Sequence, residues 1–104
     1  MAHGHSLRSH NFKVRRLRDI LVAEHDYDEI ILNMEYGPRS RPIGEVDVLG
    51  VQDYLWDFYE VKCTDDGRHY RKARNQYKRF KEHFGEIVRS GFFYAGKDIT
   101  EILI

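Results

Sequence analysis

The feature that most constrains the fold of this chain is a pair of β-rich runs that lie only three residues apart. The residues from Glu45 to Gly50 alternate between polar and apolar side chains, and those from Tyr54 to Cys63 form a longer β-rich run, as strands do. The connection from Val51 to Asp53 is too short for a crossover, so the two strands pair easily only as an antiparallel hairpin. This hairpin fixes which side chains lie opposite each other.

A register that pairs Asp47 with Glu60 centres the turn near Asp53 and brings the two carboxylates to about 5 Å of each other on one face. Lys62 shares that face because side chains repeat every two residues along a strand. Two carboxylates so close repel each other unless a proton or a hard divalent cation lies between them. Glu45 also points to this face by alternation, as a further ligand or as a contact to a second, water-mediated metal ion.

Apolar periodicity in the rest of the chain completes an order of helix, three strands, helix and strand. Such an order predicts an α/β domain in which helices pack against one sheet. The predicted segments are a helix over Ser6–Glu24 with Ser6 as its N-cap, a strand over Glu29–Tyr36, a loop over Gly37–Gly44, a second helix that ends near Gly85, and a strand over Gly91–Ala95. The tail Ile99–Ile104 is either a last strand or an interface segment.

Strict alternation also predicts which apolar side chains share a face of each strand. On the second helix an aromatic stripe at helical spacing predicts core residues. Cys63 alternates away from Lys62 and is expected to be a small buried hydrophobe. The apolar side chains predicted to share one face of a strand are Ile30, Leu32, Met34 and Tyr36 on the first strand and Val46 and Val48 on the second. The aromatic stripe of the second helix consists of Tyr70, Ala73, Tyr77, Phe80 and Phe84.

The length of 104 residues and the 41% of hydrophobic residues predict a single domain over 1–104. No apolar run approaches the roughly 18 residues that span a bilayer, and Met1–His10 holds no apolar stretch, so neither a membrane anchor nor a signal peptide is expected. The single cysteine cannot form an internal disulfide, which favours a reducing compartment such as the cytoplasm.

The net charge of zero conceals an uneven distribution. Residues 1–24 carry five basic and two acidic side chains, a net +3, and residues 68–83 carry seven basic side chains and one acid, a net +6. Between them, residues 25–67 carry eleven acids and three basic side chains, a net −8. Such a layout suits a protein that holds phosphates with its flanks and cations in its centre, although solvated surface charge is the simpler alternative.

The hairpin carries two short motifs, Gly44-Glu45-Val46-Asp47-Val48 and Tyr59-Glu60-Val61-Lys62. Together they resemble the active-site signature of the PD-(D/E)XK nuclease superfamily, which has the restriction-endonuclease-like fold. The core of that superfamily is ordered α-β-β-β-α-β, with a mixed sheet flanked by helices, so the resemblance extends over nearly the whole chain. The small size is also similar to that of compact Holliday-junction resolvases, which pair as dimers.

This resemblance implies a Mg²⁺-dependent nuclease, with Mn²⁺ as a substitute, that hydrolyses DNA phosphodiester bonds. Asp47, Glu60 and the backbone carbonyl of Val61 would bind the metal ion, and Lys62 would be the catalytic lysine. Glu45 joins this set as a further catalytic candidate. The resemblance and the apolar tail also favour a homodimer.

The chain departs from the family pattern in two places. Val46 stands where the family name has proline, which is a common substitution. Many members supply a further acid from the inner face of the first helix, where this chain offers only His10 and Asn11. Glu35, Glu45 or His10 could replace that acid, and strand alternation favours Glu45.

Several basic and amide side chains are candidates for contacts to the DNA backbone. Two lie in the loop before Glu45, and three lie on the second helix beside the aromatic stripe, where a solvated helix face is the alternative. The expected substrate contacts are Arg39, Arg41, Lys72, Gln76, Arg79 and His10.

Three functions therefore remain open at the level of sequence. The first is a DNA endonuclease, with or without selectivity for DNA structure, and the second is a DNA-binding module that keeps the fold without catalysis. The third is an interaction protein whose acidic centre complements basic partners. Cleavage with a divalent metal ion separates the first from the second, and salt-dependent DNA binding separates both from the third.

Overall fold

Five strands form one mixed sheet with a helix on each side of it. The computed structural model describes residues 2–104, with side chains described from Arg8 onward. Strands lie in chain order across the sheet; β3 and β4 are parallel and the other neighbours are antiparallel. The elements are α1 Ala2–Glu24, β1 Glu29–Tyr36, β2 Gly44–Gln52, β3 Leu55–Lys62, α2 Gly67–Phe84, a short 3-10 turn Gly85–Ile87, β4 Val88–Ala95 and β5 Asp98–Glu101.

The predicted α/β class with a mixed sheet flanked by helices is confirmed. Residues 99–101 of the tail belong to the last strand, which was one of its two alternatives, and the homodimer stays a prediction. The helix α1 begins at Ala2, so Ser6 lies inside it and its prediction as N-cap is wrong. None of the helices in the described part of the chain is long and apolar enough to cross a bilayer.

The β2–β3 hairpin has the predicted pairing. Val48 pairs with Tyr59 and Gln52 pairs with Leu55, which leaves a two-residue turn. Asp53 and Tyr54 fill that turn with positive φ values of 52° and 67°, the backbone twist that closes a tight hairpin onto a right-handed sheet. The register that the short connection required is therefore the one observed.

Two apolar clusters hold the sheet between the helices. Tyr59 and Val61 of β3 face α1, whereas Phe58 of β3 faces α2, as alternation predicts. The buried members of the α1 cluster are Val14, Leu17, Leu21, Val48, Tyr59, Val61 and Tyr94, and those of the α2 cluster include Val46, Leu49, Phe58, Ala73, Tyr77, Phe80 and Phe93.

The prediction that Val46 and Val48 share a face is wrong, because Val46 packs in the α2 cluster and Val48 in the α1 cluster. On β1 the face changes in the same way after Leu32, so that Met34 packs on the α2 side. Between them Asn33 has a φ of 53°, a left-handed conformation that interrupts the regular pleat. The two strands therefore switch faces together at the level of Asn33 and Asp47.

The helix α2 is set by its caps and its aromatic stripe. Asp66 accepts hydrogen bonds from the backbone N–H groups of Arg68 and His69, and Gly85 ends the helix with a φ of 75°. The predicted core stripe is confirmed, with Ala73, Tyr77 and Phe80 buried and Tyr70 and Phe84 packed against them. Cys63 is exposed rather than buried because β3 ends at Lys62 and the chain turns away toward α2.

Gly91 of β4 lies under the ring of Tyr77, and a Cβ added there would meet three ring carbons at 2.6 Å. We therefore expect Gly91→Ala to lower the free energy of unfolding by about 1–3 kcal/mol, because the buried ring must shift. Gly67→Ala at the first position of α2 is the control, since no atom lies within 4 Å of its added Cβ. Urea denaturation measures both, and equal losses in the two variants would contradict this packing.

Candidate functional site

Two buried carboxylates face each other where β2 begins and β3 ends. The β2–β3 pairing ends at Val48 and Tyr59, and Asp47 and Glu60 are the next residue on each strand. Asp47 is 7% exposed and Glu60 is 3% exposed. Burial raises the pKa of Glu60 well above its usual range, and the charge of Asp47 raises it further, while Lys62 opposes both effects. The predicted convergence of these two acids is thus present in the structure.

Asp47 is held by the strand beside it and by the first helix. Its Oδ2 accepts a hydrogen bond of 2.8 Å from the backbone N–H of Val61. Nε2 of His10 lies 3.3 Å from the same Oδ2 and 3.2 Å from the carbonyl oxygen of Val61. Both neighbours are acceptors, so Nε2 carries the proton in this arrangement. The hydrogen bond to Asp47 is the main reason that the pKa of His10 is raised.

Lys62 completes the group at the last position of β3. Its Nζ lies 3.4 Å from Oε2 of Glu60, and its side chain is partly exposed. The other oxygen of Glu60, Oε1, is buried and has no hydrogen-bond partner among the described residues. A buried acceptor without a partner is costly, so this oxygen is available for a ligand that the protein itself does not supply.

Glu45 lies beside this group but is exposed. Partial burial raises its pKa, followed by the charges of Asp47 and Glu35, so it is within electrostatic reach of Asp47. Glu35 is its partner in the β1–β2 register. The argument from alternation that favoured Glu45 over the other acids does not hold, because the strand switches faces at Asp47. His10 is the residue of the first helix that contacts Asp47 directly.

The predicted DNA-contacting residues lie on three elements, and one of them, His10 of α1, lies against Asp47 and the carbonyl of Val61. Arg39 and Arg41 are exposed in the loop between β1 and β2, and Lys72 and Arg79 are exposed on α2. Gln76 is half-buried, and its Oε1 is buried with no hydrogen-bond partner among the described residues.

Sequence reasoning missed Tyr36, whose ring connects β1 to this region. The ring is 7% exposed and packs so closely over Gly44 that an added Cβ would lie 2.8 Å from its hydroxyl oxygen. Burial raises the pKa of Tyr36, the nearby charge of Arg79 lowers it, and that of Glu60 raises it. The only signal in the sequence was an apolar position at the end of a strand, which gives no indication of this proximity.

A second polar cluster, also missed, lies toward the other end of β3. Asp57 is 4% exposed and accepts hydrogen bonds from Nε and Nη2 of Arg89 at 3.0 and 2.7 Å. Tyr27 donates to Asp57 at 2.6 Å, and Tyr59 therefore donates to Tyr27 at the same distance. Every buried acceptor here has a partner, so this network fastens the segment after α1 to the sheet.

No group of three or more His, Cys, Asp or Glu side chains suited to a metal ion is present among the described residues. No protein-family model matches the chain, and neither a curated protein nor a solved structure matches it. The arguments for its function therefore rest on its own geometry.

The buried pair predicts how stability depends on pH. Since the folded-state pKa of Glu60 is raised, the native state keeps a proton that the unfolded chain loses, and stability falls as pH rises from about 4.5 through the raised value. His10 acts in the same direction, because a raised histidine pKa stabilises the native state only while the ring is protonated. Glu60→Gln should therefore flatten this decline without abolishing it.

We expect the free energy of unfolding of the metal-free Glu60→Gln protein to be higher than that of the wild type by about 1–3 kcal/mol near pH 8. Near pH 5 the difference should be much smaller. Urea denaturation in the presence of a chelator across this range is the measurement. Glu86→Gln, at an exposed acid in the 3-10 turn, is the control and should follow the wild-type curve. Parallel curves for Glu60→Gln and the wild type would show that Glu60 titrates normally.

Proposed function

We propose that this protein is a Mg²⁺-dependent nuclease, with Mn²⁺ as a substitute, that hydrolyses DNA phosphodiester bonds as an endonuclease on a restriction-endonuclease-like fold. One observation carries the proposal. Two buried carboxylates, the backbone carbonyl of Val61 that His10 contacts and an ammonium group lie together where β2 begins and β3 ends, in the order of the two motifs. Lone surface acids or a satisfied ion pair would not leave a buried carboxylate oxygen without a partner.

The residues present fit a hard divalent cation. Carboxylate and carbonyl oxygens are the ligands that Mg²⁺ takes, and Mg²⁺ uses only one or two carboxylates because it keeps several waters. Asp47, Glu60 and the carbonyl of Val61 would hold it. The pKa of Glu60 is raised first by burial and then by the charge of Asp47, and its Oε1 has no hydrogen-bond partner among the described residues, so a bound cation would favour the ionised form of this acid. A site of this kind needs no third acidic side chain.

Hydrolysis adds water across one P–O bond: the water oxygen bonds to phosphorus, the bond to the leaving oxygen breaks, and that oxygen ends with a proton from the water. The bound cation supplies charge screening and a more acidic water. Lys62 places an ammonium group beside Glu60, where it orients the attacking water and stabilises charge that develops on the phosphate. Four exposed cations would contact the DNA backbone, with the half-buried Gln76 beside them on α2: Arg39, Arg41, Lys72 and Arg79.

His10 takes the place that the resemblance gives to an acid of the first helix. Its Nε2 already lies within 3.3 Å of both Asp47 and the Val61 carbonyl, whereas Glu45 is exposed. With a cation bound, Nε2 would become a nitrogen ligand and Nδ1 would carry the ring proton. A nitrogen donor favours Mn²⁺ over Mg²⁺ relative to an all-oxygen site.

Asp47→Asn and Lys62→Ala should each lower DNA cleavage at least about a hundredfold, because the first removes a ligand charge and the second removes the ammonium group. Cleavage of supercoiled and four-way DNA with Mg²⁺ or Mn²⁺ is the measurement. Lys78→Ala, which removes an exposed lysine of α2, is the matched control and should cut like the wild type. DNA binding should persist in all three variants.

If wild-type protein binds DNA in a salt-dependent manner but cuts it with neither metal ion, the DNA-binding module replaces the nuclease. The observation that favours this second function is that His10, and not a carboxylate, projects from α1 to Asp47. If the protein neither binds nor cuts DNA, both functions are wrong.

His10→Ala should weaken Mn²⁺ binding by about 10- to 100-fold and Mg²⁺ binding by less, because only the nitrogen ligand is lost. His10→Glu should restore Mg²⁺ binding, since it supplies the oxygen ligand that the first helix lacks. The metal-dependent rise in melting temperature measures both affinities without reference to cleavage. Unchanged affinity for both metal ions in His10→Ala would limit His10 to positioning Asp47.

A further inference from the structure

A basic concavity of about 730 Å³ lies between the first half of α1 and the turn from β4 to β5. Its lining contains five cationic side chains, and no described acidic side chain contributes to it. Lys13 closes one side by donating a 2.8 Å hydrogen bond to the carbonyl of Gly96, so that helix and turn are fastened together. The five cations are Arg8, Lys13, Arg15, Arg16 and Lys97.

These cations are available for a ligand. None of the salt bridges among the described residues involves Arg15, Arg16 or Lys97. Cations of one sign that gather without acids repel one another, so a polyanion would stabilise this surface. Charge complementarity therefore identifies a phosphate-rich partner as its occupant.

An aromatic side chain also lines this concavity. Phe12 is 59% exposed, although a phenylalanine in solvent forfeits the free energy of burial. An exposed ring among arginines and lysines is the arrangement by which proteins hold unpaired nucleic acid, with phosphates on the cations and a base on the ring. Bases inside a duplex stack on one another and do not offer a face to such a ring.

The basic concavity borders the candidate active site. His10, which contacts Asp47, lies on the same stretch of α1 between lining residues of the concavity. On the other side, Lys62 pairs with Ala95, the residue just before Gly96 in the lining. A DNA strand that extends from the candidate active site would therefore reach this concavity directly.

We propose that this basic concavity binds an unpaired DNA segment next to the cleaved bond, with backbone phosphates on Arg15, Arg16 and Lys97 and one base stacked on Phe12. The inference rests on the proposed nuclease function and narrows it. The substrate has a single-stranded part beside the scissile phosphate, as at a flap, a fork or an open junction.

The test measures binding separately from cleavage. Fluorescence anisotropy with a chelator present compares a labelled single strand of about 12 nucleotides with a blunt duplex of the same length. Phe12→Ala should weaken single-strand binding by about 5- to 30-fold and leave duplex binding within about twofold. Phe12→Trp should retain or strengthen it, because tryptophan offers a larger stacking face.

Tyr54→Ala is the matched control, since Tyr54 is 89% exposed at the hairpin turn and lies outside the concavity. It should leave single-strand binding unchanged. The double variant Arg15→Glu and Arg16→Glu should weaken single-strand binding by more than about tenfold and reduce its salt dependence. Because these side chains are exposed, circular dichroism should show the wild-type fold in every variant.

The inference would be overturned if Phe12→Ala lost affinity equally for single strand and duplex, or lost affinity for neither. It would also be overturned if the wild-type protein bound an acidic peptide of the same charge as tightly as the single strand. The nuclease proposal is tested separately by cleavage with the wild type. Cleavage together with unchanged single-strand binding in Phe12→Ala would reject only the basic concavity as this site. Specific single-strand binding without cleavage would support the concavity and reject the nuclease.

Discussion

The candidate site depends on the close approach of two buried acids, Asp47 and Glu60, whose charged forms repel each other. The β2–β3 hairpin forces them together, because its two-residue turn leaves no freedom of register. The protein moderates this repulsion with the backbone N–H of Val61 and the ammonium group of Lys62. Burial and the charge of Asp47 nevertheless keep the pKa of Glu60 raised, and Oε1 of Glu60 has no partner among the described residues. The free-energy cost of burying these two acids is offset by apolar packing in the two clusters on either side of the sheet.

Asp57 shows what a structural acid in the same strand looks like. It is as buried as Glu60, yet a bidentate arginine and a tyrosine hydroxyl satisfy its oxygens. The same strand thus carries one acid with complete partners and another, three residues on, with an unmet oxygen. The protein thus satisfies the buried acid at Asp57 fully and the buried acid at Glu60 only in part, and this difference supports the proposal of a cation site at the end of β3.

Features of the fold that neighbouring residues determine could be predicted from the sequence, and features that depend on contacts between distant elements could not. The hairpin register depends on a short connection, and the α2 stripe on helical spacing, so both were correct. The face switch arises from Asn33 in a left-handed conformation, which alternation cannot reveal, and it removed the argument for Glu45. His10 reaches Asp47 across 37 positions of sequence, through the docking of α1 on the sheet. Of the candidate site, the part within one hairpin could be predicted, and the part that another element contributes could be identified only as one of several alternatives.

The structure shows where the basic and acidic segments of the chain lie relative to the sheet. Basic side chains of α1 lie on one side of the sheet and those of α2 on the other, and the acidic pair lies where β2 begins and β3 ends. A phosphate drawn in by either flank is repelled by Asp47 and Glu60 until their charge is screened, since unit charges a few ångströms apart interact strongly away from bulk water. On the proposed function, a bound divalent cation would act on nucleic-acid binding as well as on chemistry, because it would replace this repulsion with attraction. Metal binding and nucleic-acid binding would then be coupled through the same two carboxylates, and each would strengthen the other by the same factor.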